Sequence, residues 1–218
     1  MCSLRACQLV KMTAKSILAR RSWLIFLVVF NLHLNVEGQE ISFGRCRKFP
    51  VLKHFQADRY LGKWYEYSNY FFIFQLFGKC VTAKYTDQSN YKSQRIGVLN
   101  ESINEKNGNP NSVNGIGVLE PGNAGLARLT VNFDSQPFFA RQDTPNYFVV
   151  DTDYDNFSIV YNCNNKFGFL KSEVLFILTR ERFPNPKLIQ SVRQKIRKAG
   201  LDPTRLRRTN QKSCPYGH

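Results

Sequence analysis

The chain has 218 residues, a formal net charge of +15 and a hydrophobic fraction of 43%. That length suits one domain with a sizeable core, and the sequence carries neither internal repeats nor a low-complexity linker. After residue 38 only His54 and His218 remain as histidines and no CxxC pair occurs, which argues against a histidine-based metal site and against zinc or thioredoxin-like chemistry.

In chain order, the first element is a leader. Lys15, Arg20 and Arg21 precede an apolar run at residues 23–34, and Val36-Glu37-Gly38 places small or β-branched residues just before Gln39. The pattern predicts a secretory signal peptide over residues 1–38, with an apolar run too short to span a bilayer comfortably. Five of the 31 basic residues and one of the 16 acidic residues fall in that leader, so residues 39–218 carry a net charge of +11. Cys2 and Cys7 leave with it. Cys46, Cys80, Cys163 and Cys214 remain, an even set that predicts two disulfides in a secreted chain, and spacing leaves all three pairings open.

Gly62-Lys63-Trp64 opens an apolar, β-leaning run. It ends in Tyr70, Phe71, Phe72, Ile73, Phe74, Gln75, Leu76 and Phe77, an almost unbroken apolar stretch with the character of a contact patch. Turn-rich clusters follow at residues 87–90, 104–114, 121–123, 134–137, 153–156 and 162–166. The β-branched and aromatic runs between them predict an antiparallel sandwich or barrel. Alternation sends Val81, Ala83 and Tyr85 inward, then Ile96, Val98 and Asn100, then Leu129, Val131 and Phe133. Residues 173–180 are apolar on both faces, so a second layer must cover them. The final helix supplies it: Asn185 caps, Pro186 takes the first turn, Leu188, Ile189, Val192, Ile196 and Ala199 form one stripe, and Gly200 stops it. From Arg180 to Lys212 there are 11 Lys and Arg against Glu181 and Asp202 alone, which makes this end a candidate for polyanions or anionic membrane, or simply a solvated basic face.

Three motifs in this order resemble the lipocalin family, and within it the apolipoprotein D and insect Lazarillo group. Gly62-X-Trp64 is similar to the first motif. Thr152-Asp153-Tyr154 with Asn156-Phe157-Ser158-Ile159-Val160-Tyr161-Asn162-Cys163 is similar to the second, and Ile177-Leu178-Thr179-Arg180 to the third. Gly44-Arg45-Cys46 and the Asn210-Gln211-Lys212-Ser213-Cys214-Pro215 end fit the subgroup. The resemblance implies an all-β, eight-stranded up-and-down antiparallel barrel over residues 39–218, with one C-terminal α-helix packed on its side. It implies Cys46 paired with Cys163 and Cys80 with Cys214. It also implies that Arg180 covers Trp64 at the closed end, and that the 70–77 stretch lies at the open mouth; its apolar run then reads either as a portal lip that touches membrane, lipoprotein or ligand, or as a lid folded back over the mouth.

Such a barrel holds one small ligand. The alternation then nominates Tyr85, Ile96, Val98, Asn100, Leu129, Val131, Phe133, Val174 and Phe176 as its wall, with Tyr85 and Asn100 as polar handles. Fatty acids, sterols and retinoid-like molecules are the expected ligands, a biliverdin-type tetrapyrrole the alternative, with no other cofactor and no nucleic acid partner. A cell-surface role through the basic end is a further alternative. GxSxG, HExxH and glycine-rich phosphate loops are absent, and the expectation is a carrier rather than an enzyme. Of two glycosylation sequons, Asn156 at a hairpin is the better acceptor, and the inward phase of Asn100 argues against a glycan there.

Overall fold

Side chains that alternate between apolar and polar give a sheet one dry face and one wet face, and rolling the sheet up hides the dry one. The computed structural model describes residues 40–46, 50–70, 77–122, 125–138, 141–166 and 168–215. Its strands are β1 (Glu40–Phe43), β2 (Gly62–Asn69), β3 (Gly78–Asp87), β4 (Arg95–Asn104), β5 (Pro110–Leu119), β6 (Arg128–Phe133), β7 (Tyr147–Thr152), β8 (Phe157–Lys166), β9 (Leu170–Thr179) and β10 (Arg207–Arg208). Strands β2 to β9 pair antiparallel in sequence order, and β9 pairs back onto β2, closing the eight-stranded barrel that was expected. β1 extends the sheet beside β9, and β10 beside β2. These residues lie within one compact unit, Gly38–His218. The predicted leader at residues 1–38 and Phe71, Phe72, Ile73, Phe74 and Leu76 of the predicted portal lie outside the described residues.

The core divides into two clusters, one on each side of the barrel wall. Inside, Trp64, Ala83, Tyr85, Ile96, Val98, Leu129, Val131, Val149, Val160 and Leu178 pack together with Phe55 and Tyr60. Outside, Leu175 and Ile177 of β9 and Ile159 and Tyr161 of β8 meet Ile189, Val192 and Ile196 of the C-terminal helix α2 (Pro186–Lys198). This answers the double-sided apolar pattern of β9. Asn185 caps the helix through a 2.9 Å bond from Lys187 N to its Oδ1. Gly200 ends it at φ 79°, where a side chain would be strained. A second, short helix, α1 (Ala57–Tyr60), precedes β2.

Two predicted turns are shorter than expected. In the 104–114 cluster, Pro110 onward is strand, with Ser102 opposite Asn111 and Ile103 opposite Pro110. In the 162–166 cluster, β8 continues until Lys166 faces Leu170. In both places main-chain ladder partners outweigh the turn preference of Asn and Ser.

The wall has two seams where neighbouring strands pair only in part, and amide side chains fill both. β2 pairs with β3 only from Gly62 to Tyr65, and above that point the C-terminal segment enters the gap. Thr209 N donates to Tyr67 O at 3.1 Å and Cys80 N to Asn210 O at 2.8 Å, while Gln211 Nε2 reaches both Glu66 O (3.0 Å) and Val81 O (2.8 Å). β6 and β7 share only two residue pairs. Beyond them the Asn146 amide copies a strand, accepting from Val131 N at 2.8 Å and donating to Val131 O at 2.9 Å. The Cys46–Cys163 and Cys80–Cys214 disulfides are both present and tie the N-terminal segment and the C-terminal tail to the wall.

Candidate functional site: a sealed floor, a line of hydroxyls and an aromatic rim

One end of the barrel is sealed. Gly62 turns the chain at φ 95°, and a Cβ there would stand 3.3 Å from the Arg180 guanidinium. Trp64, fully buried, donates from Nε1 to Tyr60 O at 2.9 Å. The Arg180 guanidinium lies 3.8 Å from the Trp64 ring centroid and donates to the carbonyls of Tyr154 (2.9 Å), Lys63 (3.0 Å) and Arg59 (3.0 Å). The β7–β8 turn braces this lid. Thr152 Oγ1 accepts from Tyr154 N, and Asp153 Oδ1 accepts from the amides of Asp155, Asn156 and Phe157. Partial burial works to raise the Asp153 pKa, but those amides and the Asn156 side chain together hold it below its ordinary value. Arg180 therefore spends its charge on the lid, facing away from the interior.

Above the floor four hydroxyls form a line. Ser158 Oγ is 2.9 Å from Tyr60 Oη, Tyr60 Oη is 3.2 Å from Tyr147 Oη, and Tyr147 Oη is 2.8 Å from Tyr85 Oη. Tyr60, Tyr85 and Ser158 are buried, whereas Tyr147 keeps accessible surface. Asn100, Phe133 and Phe176 also face inward by register and keep accessible surface. On the same wall β5 has glycine at two positions: Gly115 faces Val98 and Phe133, Gly117 faces Ile96 and Val131, and the room each leaves is taken by neighbouring side chains, Phe133 at Gly115 and Leu129 and Val131 at Gly117. A Cβ on Gly115 would stand 2.6 Å from Asn132 O and 2.8 Å from the Phe133 ring, so only glycine fits.

β2 contributes a carboxyl group to the same interior. Glu66 faces Leu178, and the bulge between Glu66 and Ser68 brings Asn69 into line with Phe176 on the inner face. Glu66 Oε1 accepts from Asn69 Nδ2 at 2.8 Å and from Thr209 Oγ1 at 2.6 Å.

The opposite end carries exposed aromatic rings. Phe43, Phe138 and Phe169 are 85%, 90% and 59% exposed, and Phe77 is 40% exposed. They belong to β1, the β6–β7 loop, the β8–β9 hairpin and the end of the β2–β3 loop, all of which lie away from Trp64. Lys106 Nζ sits 3.6 Å over the Phe77 ring, and Arg45 Nε donates to Gly168 O at 3.1 Å.

Comparison with known proteins fits this geometry. The lipocalin-like domain family matches residues 55–211. The chain belongs to the lipocalin family. Lipocalins are carriers of small hydrophobic molecules. Apolipoprotein D of Macaca fascicularis is 30% identical over 183 residues, covering 82% of this chain and 89% of that protein. The Lazarillo protein of Schistocerca americana is 29% identical over 168 residues, covering 76% and 74%. Insecticyanin from the tobacco hornworm Manduca sexta superposes with a TM-score of 0.63 at 18% identity, covering 83% of this chain and 94% of that one, a likeness of fold.

The lipocalin barrel sorts the residues expected from sequence into three groups. Tyr85, Ile96, Val98, Leu129 and Val131 are buried in the inner cluster, and the Tyr85 hydroxyl is already bonded to Tyr147. Val174 is buried in the second cluster, although the register that turns Phe176 inward puts it on the same face of β9. Asn100, Phe133 and Phe176 remain open to the interior, and Asn100 has no side-chain hydrogen bond among the described residues. Asn156 is exposed at its turn, its Nδ2 held 2.9 Å from Asp153 Oδ2. In the basic end, Arg205 is paired with Glu173 at 3.1 Å and lies over Tyr70, and Arg208 lies 3.3 Å over Tyr67, so two of its arginines are committed to the fold. Tyr60, Tyr147, Ser158 and Glu66 escaped the sequence reading. Extending the alternation of Val149 backward by two would have found Tyr147, and counting two on from Trp64 would have found Glu66, but no local signal marks Tyr60.

The buried phenols make alkaline stability predictable. Burial pushes the Tyr60 hydroxyl up to about 12, although its bonds to Ser158 and Tyr147 and the nearby Arg180 pull the other way. Burial also raises Tyr85 and Tyr147. An unfolded tyrosine loses its proton near pH ~10. The folded state holds on longer, so this stabilisation is complete below that pH and is lost as pH rises toward and through about 12. In an alkaline titration, one class of tyrosines should ionise only as the near-ultraviolet circular dichroism collapses. Full tyrosinate absorbance with that signal intact would contradict the assignment.

Proposed function

We propose that the protein is an extracellular carrier that holds one small lipophilic molecule, of fatty acid, sterol or retinoid type, in its barrel. The observation that carries this reading is the accessible inner wall of Asn100, Phe133, Tyr147 and Phe176 above a floor sealed by Trp64. Binding is driven by apolar burial, about 25 cal/mol per Å², with a few polar groups to orient the ligand. Two disulfides support an oxidising, extracellular setting. The exposed Phe43, Phe77, Phe138 and Phe169 around the mouth, with Lys106 and Arg45 beside them, favour exchange of the ligand at a membrane or lipoprotein surface.

Mass spectrometry of an organic extract of the purified native protein tests the carrier reading. The expected result is one lipophilic species near equimolar ratio. A blue-green protein would redirect the ligand to a tetrapyrrole of biliverdin type. An empty extract together with no binding across a lipid panel would refute the carrier reading. Phosphatidylserine vesicles test the mouth: Phe138→Ser with Phe169→Ser should lower co-sedimentation severalfold, and unchanged recovery would remove the surface-exchange element.

A further inference from the structure

The line of hydroxyls inside the barrel has a proton too many. A hydroxyl donates one proton and can accept twice. Ser158, Tyr60, Tyr147 and Tyr85 are joined in an unbranched line by three contacts, and none has another side-chain partner among the described residues. Three contacts use three protons. Whichever way each bond points, one hydroxyl must donate outside the line, and a buried donor without an acceptor is costly.

Only one arrangement sends that proton where a guest can meet it. Ser158 donates to Tyr60, Tyr60 to Tyr147, and Tyr85 to Tyr147. Tyr147 then accepts twice and donates into the interior. It is also the one member of the four that as a residue is half-buried rather than buried. The other arrangements leave the surplus on Ser158, Tyr60 or Tyr85, all of which are buried.

The charge around the line narrows the guest further. The phenols stay neutral, since burial first, and after it the neighbouring hydroxyls, push Tyr147 far up. Glu66 lies on the same inner face, and its negative charge is among the influences that raise Tyr85, after burial and Tyr60. The nearest cation to the floor, Arg180, is turned onto three main-chain carbonyls beneath Trp64. The inner face therefore carries both a neutral donor and a carboxyl group.

We propose that Tyr147 donates a hydrogen bond to a neutral acceptor oxygen on the ligand, a ketone, ester or amide carbonyl, so that the ligand enters polar end first and a carboxylate-ended ligand is disfavoured. This rests on the carrier reading above and sharpens its ligand class.

Matched retinoids test it on the whole protein: the same polyene ended as a methyl ester, a carboxylate or a plain methyl group, titrated against Trp64 fluorescence. The ester should bind about tenfold more tightly than either of the others, a difference of about 1.4 kcal/mol. Tyr147→Phe should erase the ester's advantage over the methyl-ended polyene while leaving affinity for the latter in place. Tyr85→Phe should preserve the advantage, because three hydroxyls with two contacts still leave one surplus proton. Equal binding of ester and methyl-ended polyene by the unaltered protein, tighter binding of the carboxylate, or an advantage that survives Tyr147→Phe would each overturn the inference. The first two need no variant and do not depend on how a variant folds. Binding without head-group preference leaves the carrier reading intact, whereas no retinoid binding and an empty native extract would end both.

Discussion

Replacing Trp64 with alanine should lower stability by about 3–5 kcal/mol, the range for deleting a large aromatic from a packed core. Its indole is fully buried, its N–H is bonded to Tyr60 O, and its ring supports Arg180 at 3.8 Å. The deletion therefore opens a cavity and leaves the guanidinium stacked on nothing. The neighbours cannot close in, because Tyr60, 5.3 Å away ring to ring, is itself held by Ser158 and Tyr147. Urea denaturation followed by far-ultraviolet circular dichroism measures the loss. A cost below about 1 kcal/mol, well under that range, would mean that the floor can repack and that Trp64 is not what seals it.

Removing the Cys80–Cys214 disulfide, by alanine at both positions, should cost about 2–5 kcal/mol. The loops closed by the two bridges span 134 and 117 residues, so chain entropy alone scarcely distinguishes them. What distinguishes them is the structure each bridge holds in place. Cys214 anchors the segment that fills the seam between β2 and β3, and Thr209 and Gln211 of that segment satisfy Glu66 and two main-chain carbonyls inside the wall. Without the bridge that segment can lift, and buried acceptors lose their donors. Cys46 holds β1 and the N-terminal segment against the outer surface, where less depends on it. The Cys80–Cys214 pair should therefore be the costlier one to lose, by thermal melting of the two double-alanine proteins side by side. The reverse order would count against a structural role for the C-terminal segment.

Much of the barrel could be read from local pattern. β3, β4 and β6 are wet outside and dry inside over most of their length, so their alternation places Ala83, Tyr85, Ile96, Val98, Leu129 and Val131 in the inner cluster where they are found. α2 was legible for a different reason, since Asn185, Pro186 and Gly200 mark its ends and one apolar stripe marks its buried side. The interior chemistry was less legible because it is assembled from distant segments. Tyr60 lies in a four-residue helix, Tyr147 at the start of β7 and Ser158 near the start of β8, and only barrel closure brings their hydroxyls together. Glu66 lies two residues beyond Trp64 and so on the same face by period two, whereas the bulge that follows it decides where Ser68 and Asn69 fall. The first half of β5, Pro110 to Asn114, has the composition of a turn and becomes strand because β4 offers it a complete ladder.

Barrel closure also has a consequence for how the molecule is made. The pairing of Tyr65 with Thr179 joins residues 114 positions apart. As the chain grows from its N-terminus, β2 waits for β9, and every strand added in between prolongs an open sheet with an unpaired strand at each margin. Such margins template pairing with other chains, and contacts this distant in sequence form slowly. The nascent protein is therefore most prone to aggregate while it is nearly complete, in the interval before its last long strand arrives. That vulnerability follows from the order of the strands and cannot be removed by changing any single side chain.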